Sequence, residues 1–328
     1  MPPLFLPLAV DQALGHPGST LVLSLSGGKD SQALLNRLVE EVGRRPDWRC
    51  QVVAFHASLG RADWEETQSH VEATCQAAGV PCRVLRRAKG DLLDRIDERI
   101  ERTAAAGAKS TPPPWPSPAA RYCTSDLKRN VADSLLRSVQ GVVVSAEGIR
   151  AEESAKRSKQ RPVSVRPAVT ASALEKLEPM EALGRRRANQ RLVLNWYPLF
   201  EWTEEDVYRG CGTSRAELEQ RRALYRSGQQ EEALQGWPLH PVYVKGLSRL
   251  ACCLCFFNST RELRLAALER PELYRWYVER EARSGFSYRD REWLADVAPE
   301  LLPDQLRNAI EQRKMERGGV QRFLPLAV

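Results

Sequence analysis

The residues best suited to chemistry are Ser24-Leu25-Ser26-Gly27-Gly28-Lys29-Asp30-Ser31. They close a short apolar run, Thr20–Ser26, and precede Leu34, Leu35, Leu38 and Val42 at helical spacing. That order puts the octet on a turn from strand into helix. Two adjacent glycines let the backbone approach phosphate oxygens. Amides at the start of the helix, with their partial positive charge, hold an anion. Ser26 and Ser31 add hydroxyls, and Lys29 adds a point charge. Asp30 does not suit a phosphate, so it is expected to meet Mg²⁺ or to orient the loop. The spacing excludes the kinase-type P-loop and the dinucleotide Gly-x-Gly-x-x-Gly. The bland alternative is a tight turn with no ligand. Gly-Gly alone would support that; the full octet at a strand end does not.

Cysteines are the second signal. There are eight, and Cys252, Cys253 and Cys255 fall within four positions. This is a C-x-x-C pair with an extra cysteine inside, a spacing that points to metal or redox chemistry rather than to a disulfide framework. Cys123 is expected at a helix start, where thiolate is favoured. Zinc on thiolates and a reactive thiol pair without metal are both open. Cys50, Cys75, Cys82 and Cys211 stand singly and are expected to pack in apolar surroundings. His56 and His240 pair with no nucleophile and read as structural.

The elements that must position these groups alternate. Cys50–Ala57, Pro81–Arg86, Gly141–Ile149 and Arg191–Trp196 are further apolar runs of strand length. Helical patterns over Asp63–Ala78 and about Asp91–Ala106 stand between some of them. Short connections between alternating strands and helices predict a parallel α/β sheet with helices on both faces. Lys109–Ala120 is Pro-rich and predicts an irregular loop. Ser154–Arg191 has little periodicity and predicts a mobile excursion from the sheet. After Trp202 the pattern turns helical. Thr203 with Asp206 forms a capping-type start, and Arg215–Tyr225, Arg261–Glu269, Pro271–Arg283 and Pro303–Glu316 all read as helices. The expected division is an α/β domain over residues 1–205 and a mainly helical region over 206–328. The hexapeptide Phe5–Val10 recurs as Phe323–Val328 with no physical account.

Bulk composition narrows the class. Hydrophobic residues are 42% and charged residues 28% of 328, an ordinary globular balance. No apolar run approaches the ~20 residues that span a bilayer, and Met1–Val10 lacks the basic start of a signal peptide. A cytoplasmic protein with no membrane partner is expected. From Lys156 to Arg191 there are ten Lys/Arg against three Asp/Glu, an excess as large as the chain's whole +7. Such a stretch suits a polyanion such as nucleic acid or pyrophosphate, or is a solvated, Arg-rich surface.

The octet contains Ser-Gly-Gly-x-Asp-Ser and resembles the PP-loop ATP pyrophosphatase superfamily. Four further stretches resemble its phosphoadenosine-phosphosulfate-reductase-like branch, which includes DNA phosphorothioation sulfurtransferases. They are Arg121-Tyr122-Cys123-Thr124 with Leu127-Lys128; Gly148-Ile149-Arg150 with Glu153-Ser154 and Arg157; Tyr197-Pro198-Leu199 with Trp202-Thr203 and Asp206-Val207; and Arg249 with Cys252 and Cys255. The ordered set covers about residues 20–260. The resemblance implies a Rossmann-like, adenine nucleotide alpha hydrolase fold. It implies ATP and Mg²⁺ at the strand ends, with Ser24, Ser26, Gly27, Gly28, Lys29, Asp30, Ser31, Gly148 and Arg150 binding the nucleotide. ATP is cleaved between its α- and β-phosphates, and an adenylated substrate is then displaced by sulfur or nitrogen. Lys29, Asp30, Lys128, Arg150 and Arg157 are the catalytic candidates, since the leaving pyrophosphate needs positive charge. Arg150 and Arg157 could instead be a surface pair with Glu152 or Glu153. Glu66 is expected near the nucleotide edge.

In the resembled families, cysteines at these places ligate a [4Fe–4S] cluster or carry sulfur chemistry. Cys123, Cys252 and Cys255 supply three ligands, with Cys253 as the nearby fourth. An iron left open on a three-cysteine cluster would hold a sulfur atom for transfer. The sequence thus carries three functions: an ATP-dependent sulfurtransferase with a sulfur donor protein and possible nucleic-acid substrate; a phosphoadenosine phosphosulfate or adenylyl sulfate reductase; or a non-catalytic nucleotide- or nucleic-acid-binding subunit. No cysteine follows Cys255, which counts against the reductase with its cysteine-bearing tail.

Overall fold

The computed structural model describes residues 2–105, 113–290 and 292–321. Its sheet has six strands: β1 Thr20–Ser24, β2 Gln51–Ala57, β3 Cys82–Leu85, β4 Val142–Glu147, β5 Val163–Val165 and β6 Leu192–Trp196. Their order is β3-β2-β1-β4-β6-β5. Every pair is parallel except β5 with β6. This is the expected Rossmann-like α/β arrangement. The strand order reverses between β1 and β4, so the sheet's topological switch point lies there.

Burial explains why three of the strands were readable. Leu21, Val22 and Leu23 of β1, Val142, Val143 and Val144 of β4, and Leu192, Val193 and Leu194 of β6 are all within 1% of full burial. Strands covered on both faces read as unbroken apolar runs. Alternation sends Val22, Val143 and Val193 to one face, where they pack with Phe55, Val169 and Ala132, Leu135 and Leu136 of the helix Asn130–Ser138. The other face takes helix α2, Lys29–Arg44, whose Ala33, Leu34, Leu35 and Leu38 are fully buried.

The chain groups into two compact units. One holds Met1–Ser58, Glu65–Arg86 and Lys128–Leu250; the other holds Leu59–Trp64, Arg87–Leu127 and Ala251–Val328. These do not follow a linear break at 205. Residues 206–250 belong to the sheet unit, because Tyr243 and Cys211 bond to the start of α2 and Asn36 bonds to Gly210. Within that unit, helix α1, Leu8–Gly15, is entered from a prolyl segment pinned by Trp196 Nε1 to Phe5 O and Trp202 Nε1 to Pro3 O. The first hexapeptide copy therefore anchors the chain start. The second copy, Phe323–Val328, lies outside the described residues. Helix α3 spans Glu66–Ala77, and Thr203 and Asp206 form the expected capping box ahead of Glu204–Gly210.

The segment from Ser154 to Arg191 is built rather than loose. It supplies β5, a 3-10 turn at Pro167–Val169 and the helix Pro179–Arg185. Its basic residues explain this. Arg157, Arg161, Arg166 and Arg185 pair with carboxylates. Arg186 and Arg191 donate to carbonyl oxygens. Lys156, Lys159, Lys176 and Arg187 remain exposed.

The second unit is helical. Helix α4, Leu92–Ala105, is capped by Asp91, whose carboxylate takes the amides of Leu93 and Asp94 and the Arg61 guanidinium. Asp97 of α4 pairs with Arg280 of the helix Pro271–Ser284. The Pro-rich stretch is described from residue 113. There Trp115 is buried against Tyr277 and Tyr288, with its indole N–H on Phe286 O. Glu281 is fully buried and accepts the amides of Tyr288, Leu294 and Ala295. Among the described residues no helix is long and apolar enough to cross a membrane.

Candidate functional site

The loop after β1 is shaped by its own hydroxyls. Ser31 Oγ donates to Gly28 O at 2.9 Å and accepts from Ser26 N at 3.1 Å. Gly28 N donates to Ser26 Oγ at 3.3 Å, and the two hydroxyls lie 3.2 Å apart. Gly27 has φ 81°, the left-handed region that favours glycine. The amides of Gly27, Asp30 and Ser31 make no hydrogen bond among the described residues. They are the open donors of a helix N-terminus, where an anion is favoured.

Gly148 is forced by a close approach. A Cβ there would sit 2.7 Å from Asp30 O and 2.9 Å from Asp30 C. Only glycine lets the end of β4 press against the first turn of α2. The next residue but one, Arg150, is thereby brought to the loop. Its Nε donates to Asp30 Oδ1 at 2.5 Å, and its Nη1 to Glu152 at 2.7 Å. Lys29 Nζ bonds Asp30 Oδ2 at 3.0 Å and faces Glu204 at 3.4 Å. Lys29 and Arg150 are only 5% and 4% exposed.

Asp30 thus lies between two buried cations. Burial alone would raise its pKa, but Lys29 and Arg150 outweigh that and hold the carboxyl below the usual range. Burial likewise works to lower the Lys29 pKa, and Asp30 with Glu204 reverses it. Both Asp30 oxygens are engaged by cations, the arrangement expected of a carboxylate that orients the loop. The expected surface pairing of Arg150 with Glu152 exists, but Arg150 is buried and reaches Asp30 as well.

Three contacts to this loop come from residues that local pattern did not mark. Tyr243 Oη accepts from Lys29 N at 3.0 Å. Cys211 Sγ donates to Lys29 O at 3.3 Å, and burial pushes its thiol up to about 12. Glu204 is the third. The available signals were Thr203-Glu204 in the capping stretch and the aromatic in His240-Pro241-Val242-Tyr243. Glu66 pairs with Lys245 at 3.0 Å at the start of α3.

Other candidates are not drawn into the loop. Lys128 is exposed on the π-helical turn Ser125–Arg129 and makes no hydrogen bond or ion pair among the described residues. Arg157 pairs with Glu153 at 3.2 Å, as the surface alternative had it. Its charge is also felt by Glu147 and Tyr197.

Cys252, Cys253 and Cys255 share one neighbourhood. Burial, followed by Cys252, Tyr122, Cys253 and Cys255, pushes the Tyr277 hydroxyl well above its ordinary value. The turn is held by Tyr288 Oη on Leu254 O and by Asn258 on the carbonyls of Cys253 and Cys255. Cys252, Cys255 and Cys123 are half-buried, whereas Cys253 is fully buried beside Ala266 O. Cys253 is therefore turned into the packing of its unit and does not fit the role of fourth ligand. Among the described residues no three His, Cys, Asp or Glu side chains are grouped to hold a metal ion. Cys75 and Cys211 are buried; Cys50 and Cys82 are half-buried, and the Cys75 thiol donates a hydrogen bond to Cys82.

A parallel sheet with this serine–glycine loop at the end of its first strand defines a nucleotide-using α/β protein of the PP-loop class. Residues 20–228 match the phosphoadenosine phosphosulfate reductase domain, and the chain belongs to that family, one of sulfur-related nucleotide chemistry. No curated protein matches the chain. Among solved structures it is similar to the U34-tRNA thiolase NcsA from Methanococcus maripaludis, determined with its [4Fe-4S] cluster. The identity is 13% and the TM-score 0.38, over 97% of this chain and 79% of that one. A likeness this faint carries no argument about activity or cofactor.

Proposed function

We propose that the protein binds ATP at Ser24–Ser31 and cleaves it between the α- and β-phosphates, adenylating a substrate ahead of sulfur transfer. The observation that carries this reading is the open helix start at Gly27, Asp30 and Ser31, flanked by the buried Lys29–Asp30–Arg150 network. In the step proposed, a substrate oxygen bonds to the α-phosphorus and the α–β bridge breaks. Pyrophosphate leaves with the bridging electron pair. A sulfur nucleophile then displaces AMP. Loop amides hold the phosphate chain, and Lys29 and Arg150 offset charge on the departing pyrophosphate. Asp30 keeps both cations in place. Arg157 and Lys128 are read as further phosphate contacts.

Pyrophosphate release from ATP, with AMP as the coupled product, tests this. Asp30→Ala is expected to lower the rate at least tenfold. An intact rate in that variant, or ADP as the product, would refute the reading. The family match also supports a second reading, reduction of phosphoadenosine phosphosulfate. Sulfite release from that substrate, without turnover of ATP, would establish it.

The resemblance supports a [4Fe–4S] cluster on Cys123, Cys252 and Cys255, which requires the three thiols to close up from their present placement. Bound, it would supply an iron able to carry sulfur. Anaerobic purification with iron analysis and absorbance near about 400 nm decides between cluster, zinc and free thiols. The exposed Lys156, Lys159, Lys176 and Arg187 support a nucleic-acid acceptor in the cytoplasm, testable by salt-dependent RNA and DNA binding. A sulfur donor protein completes the scheme.

A further inference from the structure

The sheet face that packs on the helix Asn130–Ser138 changes character along its length. Its first half is apolar, with Val22, Val143 and Val193. Two residues further along β4 and β6, the same face carries Ser145 and Asn195, which are direct register partners. Two further along β4 it carries Glu147, the register partner of Ser24. Alternation places all of these side chains on one face.

Ser145 is 1% exposed, and its hydroxyl makes no hydrogen bond among the described residues. A buried hydroxyl left unpaired costs roughly 1–3 kcal/mol, so its presence calls for a partner. Arg166 lies alongside. It is bound to Asp133 at 2.7 Å, reaches Asn195 Oδ1 at 3.3 Å, and stands 3.6 Å from Glu147 Oε1. Burial raises the Glu147 pKa, and Arg166 and Arg157 offset this only in part.

The charges select the ligand. Arg166 is already matched by Asp133 and Arg157 by Glu153, so Glu147 leaves one carboxyl in excess and a phosphate would meet net repulsion. Hydroxyls fit: each donates to a carboxylate and accepts from Ser145. Glu147 lies one strand over from Ser24, at the switch point and beside the loop. The 2′,3′-diol of a nucleotide held there by its phosphates lies across one furanose ring from the 5′ oxygen that carries the α-phosphate.

We propose that Ser145 and Glu147, with Asn195 and Arg166 behind them, form a subsite for the ribose 2′,3′-diol of the bound nucleotide. This rests on the ATP reading above. Ser145 donates to one hydroxyl and Glu147 accepts from both. Arg166 is a positioning residue that holds Glu147 and Asn195.

Calorimetry with Mg²⁺ and ATP, 2′-deoxy-ATP or 3′-deoxy-ATP tests it, on the wild type and on Glu147→Gln and Ser145→Ala. Each deoxy analogue is expected to bind the wild type roughly tenfold more weakly than ATP. In both variants ATP weakens and the gap between ATP and its deoxy analogues shrinks, as a coupled pair requires. Thermal melting checks that the variants are folded; Glu147→Gln keeps the side-chain shape, so a misfolded Ser145→Ala leaves it as the decisive variant. If wild-type protein binds ATP but treats the three nucleotides alike, the diol subsite is wrong and the ATP reading stands. If ATP does not bind at all, both fall.

Discussion

Acidification to pH 5 is expected to weaken the fold through His240. This imidazole is fully buried. Val242 N donates to its Nδ1 at 3.3 Å, which requires a lone pair there. The proton then sits on Nε2 and faces Thr67 Oγ1 at 3.1 Å. The His70 ring packs edge-on with centroids 5.3 Å apart. Burial, with His70 and Lys245 adding to it and Glu66 opposing, lowers the His240 pKa to about 3. The unfolded chain titrates near about 6.5. Because the folded pKa is the lower one, the unfolded state binds the extra proton, and stability falls as pH drops below about 6.5. Between pH 7.5 and pH 5 the unfolded group gains most of one proton over about 1.5 pH units, which amounts to about 2 kcal/mol. Burial lowers the His70 pKa as well, so its contribution has the same sign. Urea denaturation at the two pH values measures the difference, and the Val242 amide loses its acceptor if His240 charges. His240→Leu should be less stable at pH 7.5 but lose that part of the pH dependence. Equal wild-type stability at both pH values, or an imidazole titrating near about 6.5 by NMR, would refute the tautomer and burial argument.

Gly148→Ala drives a methyl group into the Asp30 carbonyl, 2.7 Å from its oxygen. Overpacking backbone this closely costs roughly 1–3 kcal/mol; the loop should shift and ATP affinity fall, and an unchanged melting temperature and affinity would show that β4 does not press on α2. Tyr243→Phe removes the acceptor of Lys29 N. Leaving that buried amide unpaired should cost about 1–3 kcal/mol in denaturant titration, and no loss would mean that the amide has another partner. Glu281→Leu strips the acceptor from three buried amides. It is expected to destabilise the helical unit more than Glu281→Gln, which keeps one oxygen; equal effects would show that carboxylate charge, not acceptance, matters there.

Local features of the sequence were the legible ones. The Ser24–Ser31 octet shapes itself through hydroxyl–amide bonds within five residues, so its pattern survives in the linear text. β1, β4 and β6 showed because both faces are buried. β5 did not, since three residues flanked by arginines carry too little apolar signal. α1 was hidden by the prolines before it. The helix Asn130–Ser138 was passed over because a π-helical turn shifts its periodicity just upstream. Within the candidate site, Tyr243, Cys211 and Glu204 arrive from more than 170 positions away, and no spacing rule links them to Lys29. Ser145 was unremarkable in an apolar run; only its burial without a partner distinguishes it.

β5 has a consequence for the border of the sheet. It lies antiparallel along the open side of β6, so that largely buried strand is not left as a template for a neighbouring molecule. The opposite border of the sheet is β3, four residues long and only partly buried, with Arg83 exposed. Trimming the arginine-rich excursion to simplify the protein would therefore uncover main-chain donors and acceptors along Leu194–Trp196. The expected outcome is intermolecular strand pairing and precipitation, with the phosphate loop itself left intact.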